Sequence, residues 1–112
     1  MRTHHIKDKI IVAEISLVPI VEGKTSMSRE ISVAFAAIEK TKGLKATLTG
    51  MGTLVEAEDL KNILAAVEAA HKAVIRSGAS RVISTIRIDE RLDKSQTLDA
   101  RVLTVKKKLD MV

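Results

Sequence analysis

Cysteine is absent from this 112-residue sequence, which excludes disulfides, thiolate nucleophiles and cysteine-based metal sites. Trp and Tyr are also absent and there is a single Phe, so the core must be aliphatic. The same lack of aromatic residues removes the platform on which single-stranded nucleic acid would stack. No apolar run approaches the roughly 18 to 20 residues that span a bilayer. We therefore expect a cytoplasmic protein with no membrane partner.

Hydrophobic residues make up 46% of the chain, enough for one modest core. The net charge is +5, and much of the excess lies at the two ends, in MRTHHIKDK and VKKKLDMV. We interpret residues 1–9 as a basic N-terminal extension and residues 10–112 as a single domain. A basic balance can indicate nucleic-acid binding. Solvated basic ends explain it more simply, so nucleic acid is not the expected partner.

Hydrophobic periodicity predicts seven elements along the chain. They are a strand at 9–20, a helix at about 27–42, two short strands within 44–57, a helix at about 60–77, a strand at 81–89 and a helix at about 98–109. The two short strands flank a glycine turn at 50–52, although one long bent strand is an alternative. The third helix carries apolar residues at helical spacing and a basic outer face.

The predicted order is β-α-β-β-α-β-α. A helix ending in glycine, then a basic residue, then a strand with threonine occurs twice, at 42–49 and 77–85. Two βαβ halves in succession form the split βαβ, ferredoxin-like plait. We therefore predict an α+β protein with an antiparallel sheet that has one face covered by helices and the other face open.

The open face is where we predict function. Because side chains alternate along a strand, Ala13, Ile15 and Leu17 point to the helices and their neighbours point away. The open face is then expected to collect side chains from three strands, namely Glu14, Ser16, Thr47, Thr49, Met51, Thr85, Arg87 and Asp89. For the strand that follows the glycine turn, the sequence does not decide which side chains point to the helices and which to the open face.

Three interpretations of this face are compatible with its residue types. Thr and Ser are ordinary on a wet sheet face, where Arg87 would pair with Glu14 or Asp89. A half-apolar face is costly to leave in water, so it can be a subunit contact instead. Buried polar groups at such a contact need partners, and a pocket with a few convergent polar groups is the default small-ligand site.

Three other motifs carry little functional weight. The stretch EGKTS (22–26) resembles part of a phosphate-binding loop, but the full pattern needs a glycine where Val18 stands. DERLDK (89–94) interleaves acidic and basic residues, which favours ion pairs over a metal site. His71 lies on an apolar helix face, where a histidine with a satisfied structural role is commoner than a catalyst. We expect no enzyme, no metal site and no cofactor.

Three stretches together resemble a known family. AEISLVPI (13–20), TLTGMGTLVE (47–56) and RVISTIRIDERLDK (81–94) are similar to signatures of the small thiamine-binding protein family, over about residues 10–108. The resemblance implies a ferredoxin-like fold, assembly into dimers or homotetramers through sheet faces and edges, and binding of thiamine (vitamin B1) or its hydroxymethylpyrimidine part. Many relatives have Thr-Pro-Met-Gly-Thr where this chain has Thr-Gly-Met-Gly-Thr at 49–53.

The chemistry of thiamine fits the side chains predicted on the open face. Glu14 or Asp89 can neutralise the cationic thiazolium. The aminopyrimidine needs hydrogen-bond donors and acceptors, which are available from Ser16, Thr49 and Thr85. Met51 is an adaptable group to pack against a ring, and Arg87 completes the predicted site. We therefore expect non-catalytic binding by a homo-oligomer. The alternatives are a basic RNA-binding or regulatory module and, third, an enzyme acting on a thiamine precursor.

Overall fold

A computed structural model describes residues 9–112, so the extension predicted for residues 1–9 lies outside the described residues except for Lys9. The elements are β1 (Ile11–Ile20), α1 (Ser28–Lys40), β2 (Leu44–Leu48), β3 (Thr53–Ala57), α2 (Leu60–Arg76), β4 (Arg81–Asp89) and α3 (Leu98–Leu109). This is the predicted order. The 44–57 region forms two strands joined by a turn, so the alternative of one long bent strand is excluded.

The sheet has the strand order β2-β3-β1-β4, and every neighbouring pair is antiparallel. This arrangement is the ferredoxin-like α+β fold that the sequence predicted. β1 is central, pairing with β3 on one side and with β4 over nine residues on the other. The charged and polar residues of β1 and β4 are therefore brought opposite one another.

The core lies between the sheet and the two helices α1 and α2. Ile11, Ala13, Ile15 and Leu17 of β1 are buried there. The helices contribute completely buried aliphatic side chains, including Ile38, Ile63 and Val74. The alternation predicted for β1 is thus confirmed, and the core is aliphatic because the sequence offers little else.

The phase of β3, which the sequence left open, is decided by its pairing with β1. Val55 pairs with Ala13 and is buried in the core, and Ala57 and Thr53 are buried on the same side of the sheet. Leu54 and Glu56 consequently project from the open face.

Local sequence signals mark the end of α1 and the start of α2 at the predicted positions. Gly43 has a φ of 81°, a left-handed conformation that glycine adopts without steric cost, and it turns the chain from α1 into β2. Asp59 caps α2 by accepting a hydrogen bond from the Lys61 amide at 3.0 Å, as helix starts prefer. Across residues 9–112, a helix of the length and hydropathy needed to cross a bilayer does not occur.

The third helix stands apart from the other two. Within the described chain none of the α3 residues is buried, and its apolar side chains Val102, Leu103, Val105 and Leu109 are exposed. The predicted apolar stripe therefore exists but has no partner along most of its length. Only the first turn of α3 is fixed to the sheet, and it lies over the open face.

Candidate functional site

The register of the sheet aligns the polar side chains of the open face in cross-strand rows. Glu14 has Leu54 of β3 on one side and Arg87 of β4 on the other. In the next row towards α3, Val12 lies between Glu56 and Asp89. Side chains in such rows are close enough to interact directly.

Two ion pairs occupy the charged part of this face. Arg87 donates from Nη2 to Glu14 Oε1 at 3.2 Å. Arg101, the last residue of the first turn of α3, donates to Asp89 Oδ2. The hydrogen bond from Arg101 is the main cause that lowers the pKa of Asp89 below its ordinary value, and the charge of Arg91 adds to it. Both carboxylates that were predicted to neutralise a cation are therefore already paired with arginines.

A cavity of about 330 Å³ opens between these rows and the start of α3. Its floor and walls come from β1, β3 and β4 and its roof from α3. The lining residues are Val12, Ala13, Glu14, Leu54, Arg87, Asp89, Leu98 and Arg101. The volume is at the lower end of the range for small-ligand sites. A few polar groups converge over an apolar floor, which is the arrangement such sites have.

The roof of the cavity is held by polar contacts. Glu56 Oε2 accepts a hydrogen bond from the Leu98 amide at 2.7 Å, and negative charge is favourable at a helix start. Thr97 caps the same helix by accepting from the Ala100 amide at 3.1 Å. The first turn of α3 is therefore positioned by Glu56 on the sheet rather than by burial of apolar side chains.

The remaining predicted residues lie on the other side of the Glu14–Arg87 row. Ser16 and Thr85 face each other across β1 and β4. The structure corrects the position of Thr49, which was expected on the second strand: β2 ends at Leu48 and Thr49 begins the following turn. Met51 lies in the same turn, where the two glycines were expected to place it.

The turn at 49–52 uses the Thr49 hydroxyl internally. Its Oγ1 donates to the Gly52 carbonyl at 2.8 Å and accepts from the amides of Met51 (3.3 Å) and Gly52 (3.1 Å). The Met51 side chain is 87% exposed. Thr49 is thus a structural residue of the turn in this chain, and Met51 is free to contact a ligand or a second subunit.

Of the seven predicted site residues, the structure places Glu14, Arg87 and Asp89 in the wall of the cavity. Ser16 and Thr85 lie next to it on the same face, and Thr49 and Met51 lie in the turn. Sequence reasoning missed the contribution of α3, above all Arg101. The signal was present, because Arg101 lies three residues after Leu98 and so on the same side of the helix.

The other motifs have structural roles. Lys24 of the EGKTS stretch pairs with the buried Glu30 at 2.9 Å, and His71 Nδ1 lies 2.6 Å from Ser84 Oγ. Arg91 pairs with Asp93, as expected for the interleaved charges of DERLDK. The part of the chain from residue 9 onward contains no cluster of potential metal ligands.

Comparison with known proteins places the chain in a family. The model of the thiamine-binding protein family matches residues 13–106, and the chain belongs to this family. A UPF0045 protein of Methanothermobacter thermautotrophicus is 40% identical over 100 residues, which cover 89% of this chain and 100% of that protein.

Solved structures have the same fold. The hypothetical protein MJ1052 of Methanocaldococcus jannaschii is 34% identical, with a TM-score of 0.77 over 88% of this chain and 97% of that one. A Thermotoga maritima protein provisionally assigned to thiamine biosynthesis or salvage is 22% identical, with a TM-score of 0.70 over 86% of this chain and 98% of that one. At that identity the second likeness concerns the fold alone.

Proposed function

We propose that this protein is a non-catalytic cytoplasmic binding protein for thiamine or its hydroxymethylpyrimidine part, and that it acts as a homo-oligomer. The observation that carries the proposal is the cavity on the open sheet face of a member of the thiamine-binding protein family. Three of the residues selected from the sequence, Glu14, Arg87 and Asp89, line that cavity.

The lining of the cavity matches the two halves of thiamine. The carboxylates of Glu14 and Asp89 offer the negative charge that a thiazolium needs, once their arginine partners turn aside. Both pairs are partly exposed, and ion pairs of this kind are worth little in water, so exchanging one for a ligand contact is cheap. Ser16 and Thr85 supply hydroxyls for an aminopyrimidine on the same face.

The proposed oligomer follows from the apolar surface that one subunit leaves in water. On the part of the open face away from α3, Val18 and Ile83 pair across β1 and β4 and are 41% and 44% exposed. On α3, Val102, Val105 and Leu109 are exposed. Association of subunits through these surfaces would bury them and close the open side of the cavity. Dimers and tetramers are both compatible with two such surfaces.

Binding without catalysis is supported by the state of the titratable groups near the cavity. Glu14 and Asp89 are each held in an ion pair. His71 is the other candidate for proton transfer, and it forms a hydrogen bond with Ser84. Ser84 faces the helices, whereas its neighbours in β4 project from the open face. A general acid or base must reach the reacting proton, and His71 is on the opposite side of the sheet from the cavity.

The proposal is tested by isothermal titration of the protein with thiamine and with hydroxymethylpyrimidine, with light scattering on the same sample. We expect saturable binding to a particle larger than one subunit. Absence of heat with both ligands would remove the binding claim, and a monomeric mass would remove the oligomer.

Charge neutralisation is tested with Glu14→Gln and Asp89→Asn. Each should weaken thiamine binding by about 10- to 100-fold, since a hydrogen bond to a charged group contributes roughly 1.5–3 kcal/mol. Glu68→Gln is the matched control, because Glu68 is also in an exposed ion pair but lies on the helix layer. If both site variants bind as tightly as the Glu68 variant, neither carboxylate meets the cation.

A further inference from the structure

We propose that the ligand of the cavity carries an anionic group together with its cation, and that Arg101 of α3 recognises this group. The chemical class is the phosphate monoester of thiamine. This inference rests on the proposed function and deepens it, because it names which form of the vitamin the site prefers.

The first argument is the charge balance of the cavity. Its charged lining groups are two carboxylates, Glu14 and Asp89, and two guanidinium groups, Arg87 and Arg101, so the wall is neutral as a whole. A ligand with only a positive charge unbalances this wall and leaves the displaced arginines without a partner. A ligand that carries a cation together with a phosphate monoester, whose charge is about −1.5 to −2 at pH 7, offers a group of opposite charge both to the carboxylates and to the two guanidinium groups.

The second argument is the unused hydrogen-bonding capacity of Arg101. Its Nη1 donates to Asp89, whereas its Nε is buried without an acceptor among residues 9–112. A buried donor without an acceptor costs free energy that a suitable ligand recovers. The Nε–Nη2 edge of a guanidinium matches two oxygen atoms of a phosphate, and at Arg101 this edge is the one that Asp89 leaves unused.

The third argument is the position of Arg101 relative to the rest of the site. It lies in the helix that roofs the cavity, and its side chain is 28% exposed, so a modest rotation brings the guanidinium to a ligand. Glu56 holds the first turn of this helix on the sheet, which keeps Arg101 over the cavity whether or not the Asp89 pair is intact. Arg87 lies on β4, and its side chain is largely exposed, so it can approach the same anion.

The experiment is isothermal titration of the full chain with thiamine, thiamine monophosphate and inorganic phosphate. In the wild-type protein we expect the monophosphate to bind at least about tenfold more tightly than thiamine, because a charge-assisted hydrogen bond is a strong one. In Arg101→Gln the affinities for the monophosphate and for thiamine, both measured on that variant, should lie within about threefold of each other, because the guanidinium that distinguishes the two ligands is gone. Inorganic phosphate alone should bind only weakly.

Two further variants keep the interpretation sharp. Arg76→Gln removes an exposed arginine of α2, away from the cavity, and should retain the full preference. Arg101→Lys keeps the charge but loses the two-donor edge, so it should retain part of the preference even if the glutamine variant is poorly folded by circular dichroism.

The outcomes separate this inference from the proposed function. Equal affinities for thiamine and its monophosphate in the wild-type protein, or a preference that survives in both Arg101 variants, would overturn the inference and leave thiamine binding standing. Tighter binding of inorganic phosphate than of the monophosphate would also overturn it, since the thiamine part would then contribute nothing. No binding of either thiamine compound would overturn this inference, and failure of hydroxymethylpyrimidine to bind as well would overturn the proposed function.

Discussion

Replacing Gly52 with alanine tests whether the turn between β2 and β3 has to lie against the central strand. A Cβ atom at position 52 would be 2.9 Å from the backbone oxygen of Ile15 and 3.6 Å from Cγ of Glu14. The Ile15 oxygen belongs to the backbone of β1, which is paired on both sides, so it cannot rotate away as the end of a side chain could. Either the turn or β1 must shift.

Gly50 is the matched control because it lies in the same turn and has free space around it. A Cβ atom there would meet nothing within 4 Å. Neither Gly50 nor Gly52 has a positive φ, so alanine is compatible with the backbone at both positions. In each variant the unfolded chain loses freedom, which stabilises the folded state by about 0.4–1 kcal/mol.

The expected magnitude follows from these two contributions. Overpacking against a fixed neighbour costs about 1–3 kcal/mol, so Gly52→Ala should destabilise the protein by about 1 kcal/mol net. Gly50→Ala should be neutral or slightly stabilising. The two variants should thus differ by about 1–2 kcal/mol, and at about 4 °C per kcal/mol for a domain of this size their thermal midpoints should differ by roughly 4–8 °C.

The assay is thermal and urea unfolding followed by far-ultraviolet circular dichroism, because the chain has no Trp or Tyr to serve as a fluorescence probe. All samples need the same protein concentration, since association raises apparent stability. Coincident midpoints for Gly52→Ala and Gly50→Ala would refute the close approach of the turn to β1.

Two stability predictions concern the core and a buried ion pair. Ile38→Ala should lower the free energy of unfolding in urea by about 2–5 kcal/mol, because Ile38 is completely buried. Ile75 is exposed, so Ile75→Ala should change this free energy by no more than about 0.5 kcal/mol. Similar costs for the two variants would contradict the core assignment. The hydrogen bond from Lys24 lowers the pKa of Glu30 below its ordinary value of 4.5, so this carboxylate contributes stability that is present above pH 4.5 and lost as the pH falls through the folded-state pKa. Glu30→Gln should therefore flatten the loss of stability below pH 4.5, and acid-unfolding profiles parallel to the wild type would exclude the effect.

The element order and the face of β1 were predictable because they depend on short-range patterns. In the middle of β1, Ala13, Ile15 and Leu17 alternate with the polar Glu14 and Ser16, so only one phase keeps both polar side chains out of the core. The opposite phase then had to place Glu14 and Ser16 on the open face. The facing residues of β4 followed from the same reasoning.

The phase of β3 was not predictable for an equally physical reason. The strand has five residues, and both of its faces carry an apolar residue, Val55 on one side and Leu54 on the other. Local pattern therefore does not discriminate between them. The pairing of Val55 with Ala13 decides it, because the register with a strand that is itself buried determines which side chain enters the core.

The sequence by itself determined the aliphatic core, the order of strands and helices and the five polar residues of β1 and β4 that share the open face. Only the tertiary structure decided that Arg101 meets Asp89 and that Glu56 holds the start of α3, contacts that span 12 and 42 residues. The hydrophobic periodicity that identifies each element depends on residues a few positions apart, whereas the position of α3 depends on contacts with strands that are distant in the sequence. The cavity exists only because these contacts hold α3 over the sheet face that α1 and α2 leave open.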